Sequence, residues 1–139
     1  MHTEIQIAAG IIVNESDEIL LQLRDDKKTI RSPGMWSFPG GHVNLNETIV
    51  NALYREILEE TTLEFDRAIY ICSINDFSEG TIPYKIHFWY LKYQSEQAYI
   101  CQEGVMLKFW TTNEIMKLKT PKYVPNVLKI FKELFKTIA

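Results

Sequence analysis

A group of acidic residues with helical spacing is the part of this sequence best placed to do chemistry. Glu56 is followed by Glu59 and Glu60, three and four positions later. At 100° per residue on an α-helix, the three carboxylates fall within about 100° of one another. Ile49 and Leu53 share that side, so the carboxylates border the apolar stripe of the helix. Mg²⁺ prefers hard oxygen ligands of this kind, and a divalent-cation site is therefore the chemical hypothesis.

The same arrangement is electrostatically unfavourable without a ligand. Like charges three or four positions apart repel by a few tenths of a kcal/mol per pair. Carboxylates in the last turns also oppose the helix dipole, at about 0.3–1 kcal/mol each. A bound divalent cation would reverse both effects. Without their neighbours in sequence, however, the three glutamates are better explained as the solvated acidic end of a surface helix.

The neighbouring residues change that interpretation. The segment that begins at Gly41 resembles the signature of the Nudix hydrolase family, G-x5-E-x7-R-E-U-x-E-E-x-G-U, in which U is a bulky aliphatic residue. Its leading positions match Gly41, Glu47, Arg55 and Glu56. Residues 34–41 also resemble the entry to this signature in MutT-like members of the family. A fixed pattern with this many matches is far more specific than an isolated glycine-rich motif.

One position departs from the signature, because Thr62 stands where the family has glycine. The family glycine follows the end of the helix, where a left-handed residue often forms the cap. A β-branched residue disfavours positive φ by about 1–2 kcal/mol. We therefore expect a slightly different helix exit in this chain, with metal binding retained because Thr62 supplies no ligand.

The resemblance implies a set of metal-binding and catalytic residues. Arg55 resembles the arginine that orients a carboxylate, either Glu47 or Glu56, with a plain surface ion pair as the alternative. Glu56 or Glu60 helps to activate water in some members. Glu103, in a Gln-Glu-Gly loop, resembles a distal glutamate that reaches the metals, unless it is only a loop charge. The implied metal ligands are the backbone carbonyl of Gly40 and the carboxylates of Glu56, Glu59, Glu60 and Glu103, and the implied catalytic set is Glu47, Arg55, Glu56, Glu59 and Glu60.

Residues that could meet a substrate carry weaker signals. Arg24 ends a predicted strand and could bind phosphate in a bidentate manner, although a solvated strand end is equally consistent. His42 could touch a phosphate, but a structural role is favoured. Trp36 and Phe38 could stack on a base, or could pack in the core or a loop. Asn126, placed before the last predicted helix, could hydrogen-bond a base edge.

The activity that the resemblance implies is Mg²⁺-dependent hydrolysis of a pyrophosphate bond in a nucleoside diphosphate derivative, with Mn²⁺ as an alternative ion. A metal-activated water would attack phosphorus, with a glutamate as general base. The short chain and the MutT-like entry favour nucleoside triphosphates, cleaved to the monophosphate and pyrophosphate. Nucleotide sugars, ADP-ribose and dinucleoside polyphosphates are alternative substrates. A non-catalytic nucleotide-binding sensor with the same fold is the alternative from another functional class.

The acidic segment must lie on a helix for this chemistry. Asn44 or Asn46 is predicted to cap that helix, with Glu47 in its first turn, where the dipole favours a negative charge. The helical period of the apolar residues predicts an end near Glu60 or Thr61.

Strands and further helices must surround that helix. Thr111 and Glu114 predict a capping box for a short helix through Lys119, and an apolar stripe predicts a final helix from near Pro125 to Thr137. The order of elements predicts an α+β fold, an α/β/α sandwich with a mixed sheet, as a single domain over residues 1–139. Runs of β-branched and aromatic residues predict the strands, at 4–13, 19–24, 68–74, 84–94 and 105–111, with a loop at 25–37.

Composition and charge limit the class of protein, its location and its partners. The 139 residues are 46% hydrophobic and 24% charged, as in soluble globular proteins. The sequence shows neither a signal peptide nor an apolar run of about 18 residues, so we expect a cytoplasmic protein without a membrane partner. A net charge of −3 argues against a nucleic-acid partner, and the lysines near the C-terminus fit a solvated helix face. Cys72 and Cys101 do not suggest a disulfide framework. The expected partner is a small-molecule nucleotide, and the family resemblance adds a homodimer as a hypothesis.

Overall fold

A mixed seven-stranded sheet forms the centre of the protein, in a computed structural model that describes residues 4–78, 80 and 82–135. Its main path runs in the order β3-β2-β1-β6-β5, while β4 pairs with β1 and β7 pairs with β2. The strands are β1 (Ile5–Val13), β2 (Ile19–Leu23), β3 (Trp36–Ser37), β4 (Gly40–His42), β5 (Ile69–Asp76), β6 (Tyr84–Lys92) and β7 (Met106–Trp110).

Strand β1 is buried on both faces of the sheet. It pairs in parallel with β6 and antiparallel with β2 and β4. Ile7, Ala9 and Ile11 belong to one core cluster, whereas Ala8 and Ile12 belong to the other. A strand between two buried layers is apolar at nearly every position, which explains why the sequence of β1 shows no polar alternation.

Helices cover both faces, which confirms the predicted α/β/α sandwich. The first helix, α1 (Ile49–Thr61), packs Ala52, Leu53 and Ile57 against one face. On the other face lie α2 (Thr112–Ile115) and α3 (Val124–Phe135). None of the described helices is long and apolar enough to cross a membrane.

The predicted strands all occur, but β3 lies inside the stretch predicted as a loop. It pairs with β2 through Leu23 and Trp36, and two residues are too few to show a strand period. The predicted capping box at Thr111 is present. Helix α2 nevertheless ends at Ile115 and not at Lys119, because the chain continues in turns with tighter hydrogen bonds. Helix α3 begins at Val124, and its predicted end at residue 137 lies outside the described residues.

The predicted start of α1 is wrong. Neither Asn44 nor Asn46 is the cap, since Asn46 adopts a left-handed conformation with φ of 66°. The cap is Thr48, whose side chain accepts a hydrogen bond from the backbone N–H of Asn51 at 3.2 Å. Glu47 therefore precedes the helix and does not lie in its first turn.

The expected change in the helix exit is also wrong. Thr62 adopts φ of 65° and ψ of 4°, the left-handed cap for which glycine is usual. Its N–H donates to the carbonyl of Leu58 at 3.0 Å, and its hydroxyl donates to the carbonyl of Ala98 at 3.3 Å. The predicted end of α1 at Thr61 is confirmed, and a β-branched residue here takes the glycine conformation in full.

Candidate active site

Three carboxylates converge beside the C-terminal turns of α1. Glu56, Glu60 and Glu103 each offer an oxygen, and these oxygens all lie within 4.8 Å of one another. Glu60 is only 5% exposed, and it accepts a hydrogen bond of 2.7 Å from the backbone N–H of Gly40. We call these three residues the acidic cluster. The predicted ligand Glu59 lies on the same helix, but its side chain is exposed.

The acidic cluster is electrostatically suited to a divalent cation. Burial raises the pKa of Glu60 well above its usual 4.5, and the nearby Glu103 and Glu56 carboxyls raise it further against the opposing bond from Gly40. Burial also raises the pKa of Glu56, although Arg55 opposes this. Adjacent carboxylates that resist ionisation are stabilised by a hard cation, which favours oxygen ligands of this kind. The donor set therefore fits Mg²⁺ or Mn²⁺.

Two glycines of β4 make room for the cluster. A Cβ on Gly41 would lie 2.4 Å from the carboxylate of Glu56. A Cβ on Gly40 would lie 2.1 Å from the backbone oxygen of Ala8 in β1, and the φ of Gly40 is 155°. The paired glycines thus let α1 carboxylates approach the backbone of β4 at a distance that no side chain would permit.

Arg55 ties the start of α1 to its acidic end. Its Nε and Nη2 donate to the two carboxylate oxygens of Glu47 at 2.7 and 2.9 Å, and its Nη1 donates to Glu56 at 2.9 Å. A further bond of 2.9 Å reaches the carbonyl of His42, and Glu59 lies 3.4 Å away. The bond from Arg55 lowers the pKa of Glu47 to about 2. Arg55 therefore pairs with Glu47 and with Glu56, the two carboxylates that were predicted as alternatives. It forms a network of bonds and not a plain surface ion pair.

Glu103 reaches the acidic cluster because hydrogen bonds hold its loop against α1 and β2. The N–H of Gln102 donates to the carbonyl of Glu60 at 3.0 Å, and the side chain of Gln22 donates to the carbonyl of Glu103 at 3.0 Å. Gly104 has φ of 80°, and a Cβ there would lie 2.7 Å from the carbonyl oxygen of Leu23. The Gln-Glu-Gly sequence therefore reflects a turn that only glycine accommodates against β2.

Of the predicted substrate-binding residues, Arg24 and His42 lie near each other. Arg24 is half-buried just beyond β2, and its Nε donates to the carbonyl of Arg31 at 2.6 Å. His42 ends β4, and its ring lies 6.1 Å from that of Tyr84. Desolvation, Arg31 and Arg24 lower the pKa of His42, in that order.

The two predicted stacking residues pack within the protein. Phe38 is 5% exposed and meets Phe88 edge to face at 5.5 Å, so it has no free face for a base and that prediction is corrected. Trp36 is half-buried and meets Trp110 at 5.0 Å. Asn126 is exposed within the first turn of α3, which begins at Val124, and does not lie before the helix.

Sequence reasoning missed Arg31, Tyr84 and Tyr123. The Arg31 guanidinium carbon lies 5.5 Å from the centre of the Tyr84 ring, and its Nη1 is 3.5 Å from the Tyr123 hydroxyl. Arg31 belongs to a polar loop with several other cations, and the tyrosines belong to elements distant in sequence. Their convergence is a tertiary event for which the sequence carries no periodic signal.

The sequence of this chain is similar to those of known proteins. The sequence model of the NUDIX domain matches residues 4–131. The 8-oxo-dGTP diphosphatase of Proteus vulgaris is 31% identical over 80 residues, which span 57% of this chain and 70% of that protein. The m7GpppN-mRNA hydrolase NUDT17 of Homo sapiens is 26% identical over 96 residues. That match spans 69% of this chain but only 29% of the human protein.

A solved structure shares the whole fold. The MutT protein from Methanosarcina mazei Go1 superposes with a TM-score of 0.85, covering 97% of each chain. Its sequence is 20% identical, so this likeness concerns the fold alone.

Proposed function

This chain belongs to the Nudix hydrolase family, and we propose that it hydrolyses nucleoside triphosphates to the monophosphate and pyrophosphate with Mg²⁺. Mn²⁺ is the alternative ion. The observation that carries the proposal is the acidic cluster, in which Glu56, Glu60 and Glu103 lie within 4.8 Å at the end of the signature helix. Three carboxylates gathered this closely, one of them buried, offer the hard oxygen ligands that Mg²⁺ prefers, beside waters and substrate phosphates.

The names of the relatives support the choice of substrate. The Proteus vulgaris relative acts on a deoxynucleoside triphosphate, and the human relative acts on a cap structure written with three phosphates. We carry this feature to the present chain as part of the proposal. Nucleotide sugars and ADP-ribose, which have two phosphates between sugars, are the competing substrates.

The roles of individual residues follow from the site. Glu56, Glu60 and Glu103, with Glu59 and the carbonyl of Gly40 beside them, would hold the cation. When bound, the ion would neutralise phosphate oxygens and make water a better nucleophile. Burial raises the pKa of Glu56 and of Glu60, which prepares either carboxylate to accept a proton from the attacking water.

Arg55 and Glu47 act as positioning residues. The guanidinium holds the Glu56 carboxylate at 2.9 Å, and its two bonds to Glu47 fix its own orientation. Correct placement of the reacting groups contributes a large share of the rate in phosphoryl transfer. We therefore assign Arg55 a positioning role.

The test is a panel of nucleoside triphosphates, nucleotide sugars, ADP-ribose and dinucleoside polyphosphates incubated with Mg²⁺, with products identified by mass. Glu56→Gln is the site variant, and Glu15→Gln, in an exposed turn, is the matched control. Release of pyrophosphate from triphosphates, abolished only by the site variant, supports the proposal. Nucleotide binding without turnover of any compound would contradict it and support a sensor.

Two further features belong to this proposal. We infer a cytoplasmic location, which the exposed free thiol of Cys101 favours because such thiols persist in reducing compartments. A homodimer is the proposed alternative to a monomer, and sedimentation of the full chain decides between them.

A further inference from the structure

We propose that Gln97 is a positioning residue for the acidic cluster, because it anchors the far end of the chain segment that carries Glu103. We call residues 97–104 the carrier segment. The inference rests on the proposed function, since it takes Glu103 as a ligand of the cation. Gln97 itself lies outside the signature, which ends at Leu63.

The carrier segment lies along the C-terminal end of α1. The N–H of Ile100 donates to the carbonyl of Thr61 at 2.9 Å. The N–H of Gln102 donates to the carbonyl of Glu60 at 3.0 Å. The last carbonyls of a helix have no partner within the helix, so these bonds satisfy groups that would otherwise need water. Because Glu103 directly follows Gln102, the two backbones that bear cluster carboxylates are bonded to each other beside those carboxylates.

Burial contributes little to holding the carrier segment in place. Every residue from 98 to 103 is exposed. Tyr99 meets Phe109 edge to face at 5.5 Å, and the hydroxyl of Thr62 makes an exposed bond of 3.3 Å to the carbonyl of Ala98, to which we assign no positioning role. Segments with few buried apolar contacts open locally at a low cost in free energy. The place of the metal-binding carboxylate therefore depends on anchors at the two ends of the carrier segment.

Strand β2 anchors the end next to Glu103. The side chain of Gln22 donates to the carbonyl of Glu103 at 3.0 Å. Just beyond the carrier segment, the N–H of Val105 donates to the carbonyl of Leu23 at 2.8 Å.

Gln97 anchors the other end, after the chain leaves β6. It is half-buried, unlike the six residues that follow it. Its side-chain oxygen accepts from the N–H of Glu64 at 2.9 Å, and its side-chain nitrogen donates to the carbonyl of Glu64 at 2.9 Å. The Tyr93 hydroxyl donates to the carbonyl of Gln97. An amide that meets both backbone groups of one residue has a fixed orientation, as in a bonded pair of antiparallel strands. Since Glu64 follows the end of α1, Gln97 fixes the carrier segment against the helix that bears Glu60.

The experiment compares Gln97→Met with Gln94→Met. The first change keeps the length of the side chain and loses both bonds to Glu64. The second makes the same change at an exposed position, whose carbonyl still accepts from the N–H of Gln97 at 3.0 Å. Binding of Mn²⁺ alone, without substrate, is measured by electron paramagnetic resonance. We expect Gln97→Met to weaken Mn²⁺ binding about tenfold, as for loss of a group that orients a metal ligand, and Gln94→Met to leave it within about twofold.

A double-mutant cycle with Glu103→Gln separates positioning from a general loss of stability. If Gln97 acts through Glu103, Gln97→Met weakens Mn²⁺ binding no further in the Glu103→Gln background. Amide hydrogen exchange in EDTA provides a second measurement, which needs no metal. Exchange at Ile100 and Gln102 should be faster in Gln97→Met, while exchange in the middle of α1 stays unchanged.

Equal Mn²⁺ affinities of Gln97→Met and Gln94→Met would overturn the inference, even in a chain that hydrolyses triphosphates. A loss that persists undiminished in the Glu103→Gln background would also overturn it, since Gln97 would then act on the fold as a whole. If Mn²⁺ binding depends on Gln97 through Glu103 but no nucleotide is hydrolysed, the positioning role stands and the proposed activity fails. If the natural chain binds no Mn²⁺, both fail.

Discussion

The acidic cluster and the pair Arg24 and Arg31, which we call the arginine pair, both bring groups of like charge together, but by different routes. In the cluster, Glu56 and Glu60 are neighbours on one helix, so their meeting follows from helical spacing. The arginine pair joins a strand end to a loop, and tyrosines from β6 and the approach to α3 complete it. Each region gathers partly buried groups of one sign, and a ligand of the other sign would stabilise each of them. A cluster of like charges can therefore be predicted from the sequence when its members are close in the chain. It cannot be predicted when tertiary contacts bring them together.

Glu60→Gln tests the acidic side of this comparison and is expected to give the largest effect. Loss of a buried ligand and candidate base should lower kcat by about 10²–10⁴. Its KM should change far less than its kcat. Steady-state kinetics on a nucleoside triphosphate measure both values, with Glu133→Gln, in an exposed helical position, as control. A Glu60→Gln enzyme with a raised KM and a normal kcat would contradict a role of Glu60 in the chemical step.

Gly41→Ala tests how tightly the acidic cluster is built. The new Cβ would lie 2.4 Å from the Glu56 carboxylate, which must leave its present place in the acidic cluster. Because only the end of a flexible side chain moves, the melting temperature should change by no more than about 4 °C. Turnover should fall about tenfold to a hundredfold, as expected for a misplaced reacting group. Unchanged turnover with the alanine in place would show that Glu56 need not sit where it does.

The fold and the acidic region could be predicted where information is local. The five longer strands, the end of α1 and the Thr111 capping box all follow from periods and caps of a few residues. The start of α1 was misplaced although its cap, Thr48, is a local signal, and Glu47 lies before the helix in a bonded pair with Arg55, eight positions along the chain. The sequence left Phe38 either to stack on a base or to pack in the core. Its contact with Phe88, which lies in a distant strand, could not be seen in the sequence. Arg31 gave no signal for the same reason.

Acidity provides a test of the acidic region without substrate. Burial raises the pKa of Glu60 in the folded protein. As the pH rises above 4.5, Glu60 therefore loses its proton in the unfolded chain before it does so in the folded protein. Stability of the metal-free protein should therefore fall as the pH rises from 4.5 through the raised pKa, by about 1.4 kcal/mol for each pKa unit between the two states. Glu47, with its pKa near 2, has the opposite sign and loses its contribution as the pH falls from 4.5 towards 2.

Thermal unfolding in EDTA across these pH values measures the effect, with Glu60→Gln as the comparison. That variant should decline less steeply than the natural chain, since an amide does not ionise and only the raised pKa of Glu56 still contributes. Mg²⁺ at about 100 times its dissociation constant should add about 2.7 kcal/mol at neutral pH to the natural chain only. Parallel curves for the two proteins would mean that Glu60 ionises normally in the folded state.

Thr62→Gly should have the smallest effect and should leave the chemistry untouched. Glycine removes the steric cost of φ at 65°, about 1–2 kcal/mol, but it also frees the unfolded chain and loses the bond to Ala98. We expect a net gain of about 0.5 kcal/mol, a rise in melting temperature of about 1–2 °C, and unchanged kcat. Thr62→Ala is the matched control, because it loses the hydroxyl bond and keeps the Cβ, and it should be less stable than the natural chain. If alanine were the more stable of the two variants, the left-handed cap would cost nothing here. The family preference for glycine would then need a cause other than backbone conformation.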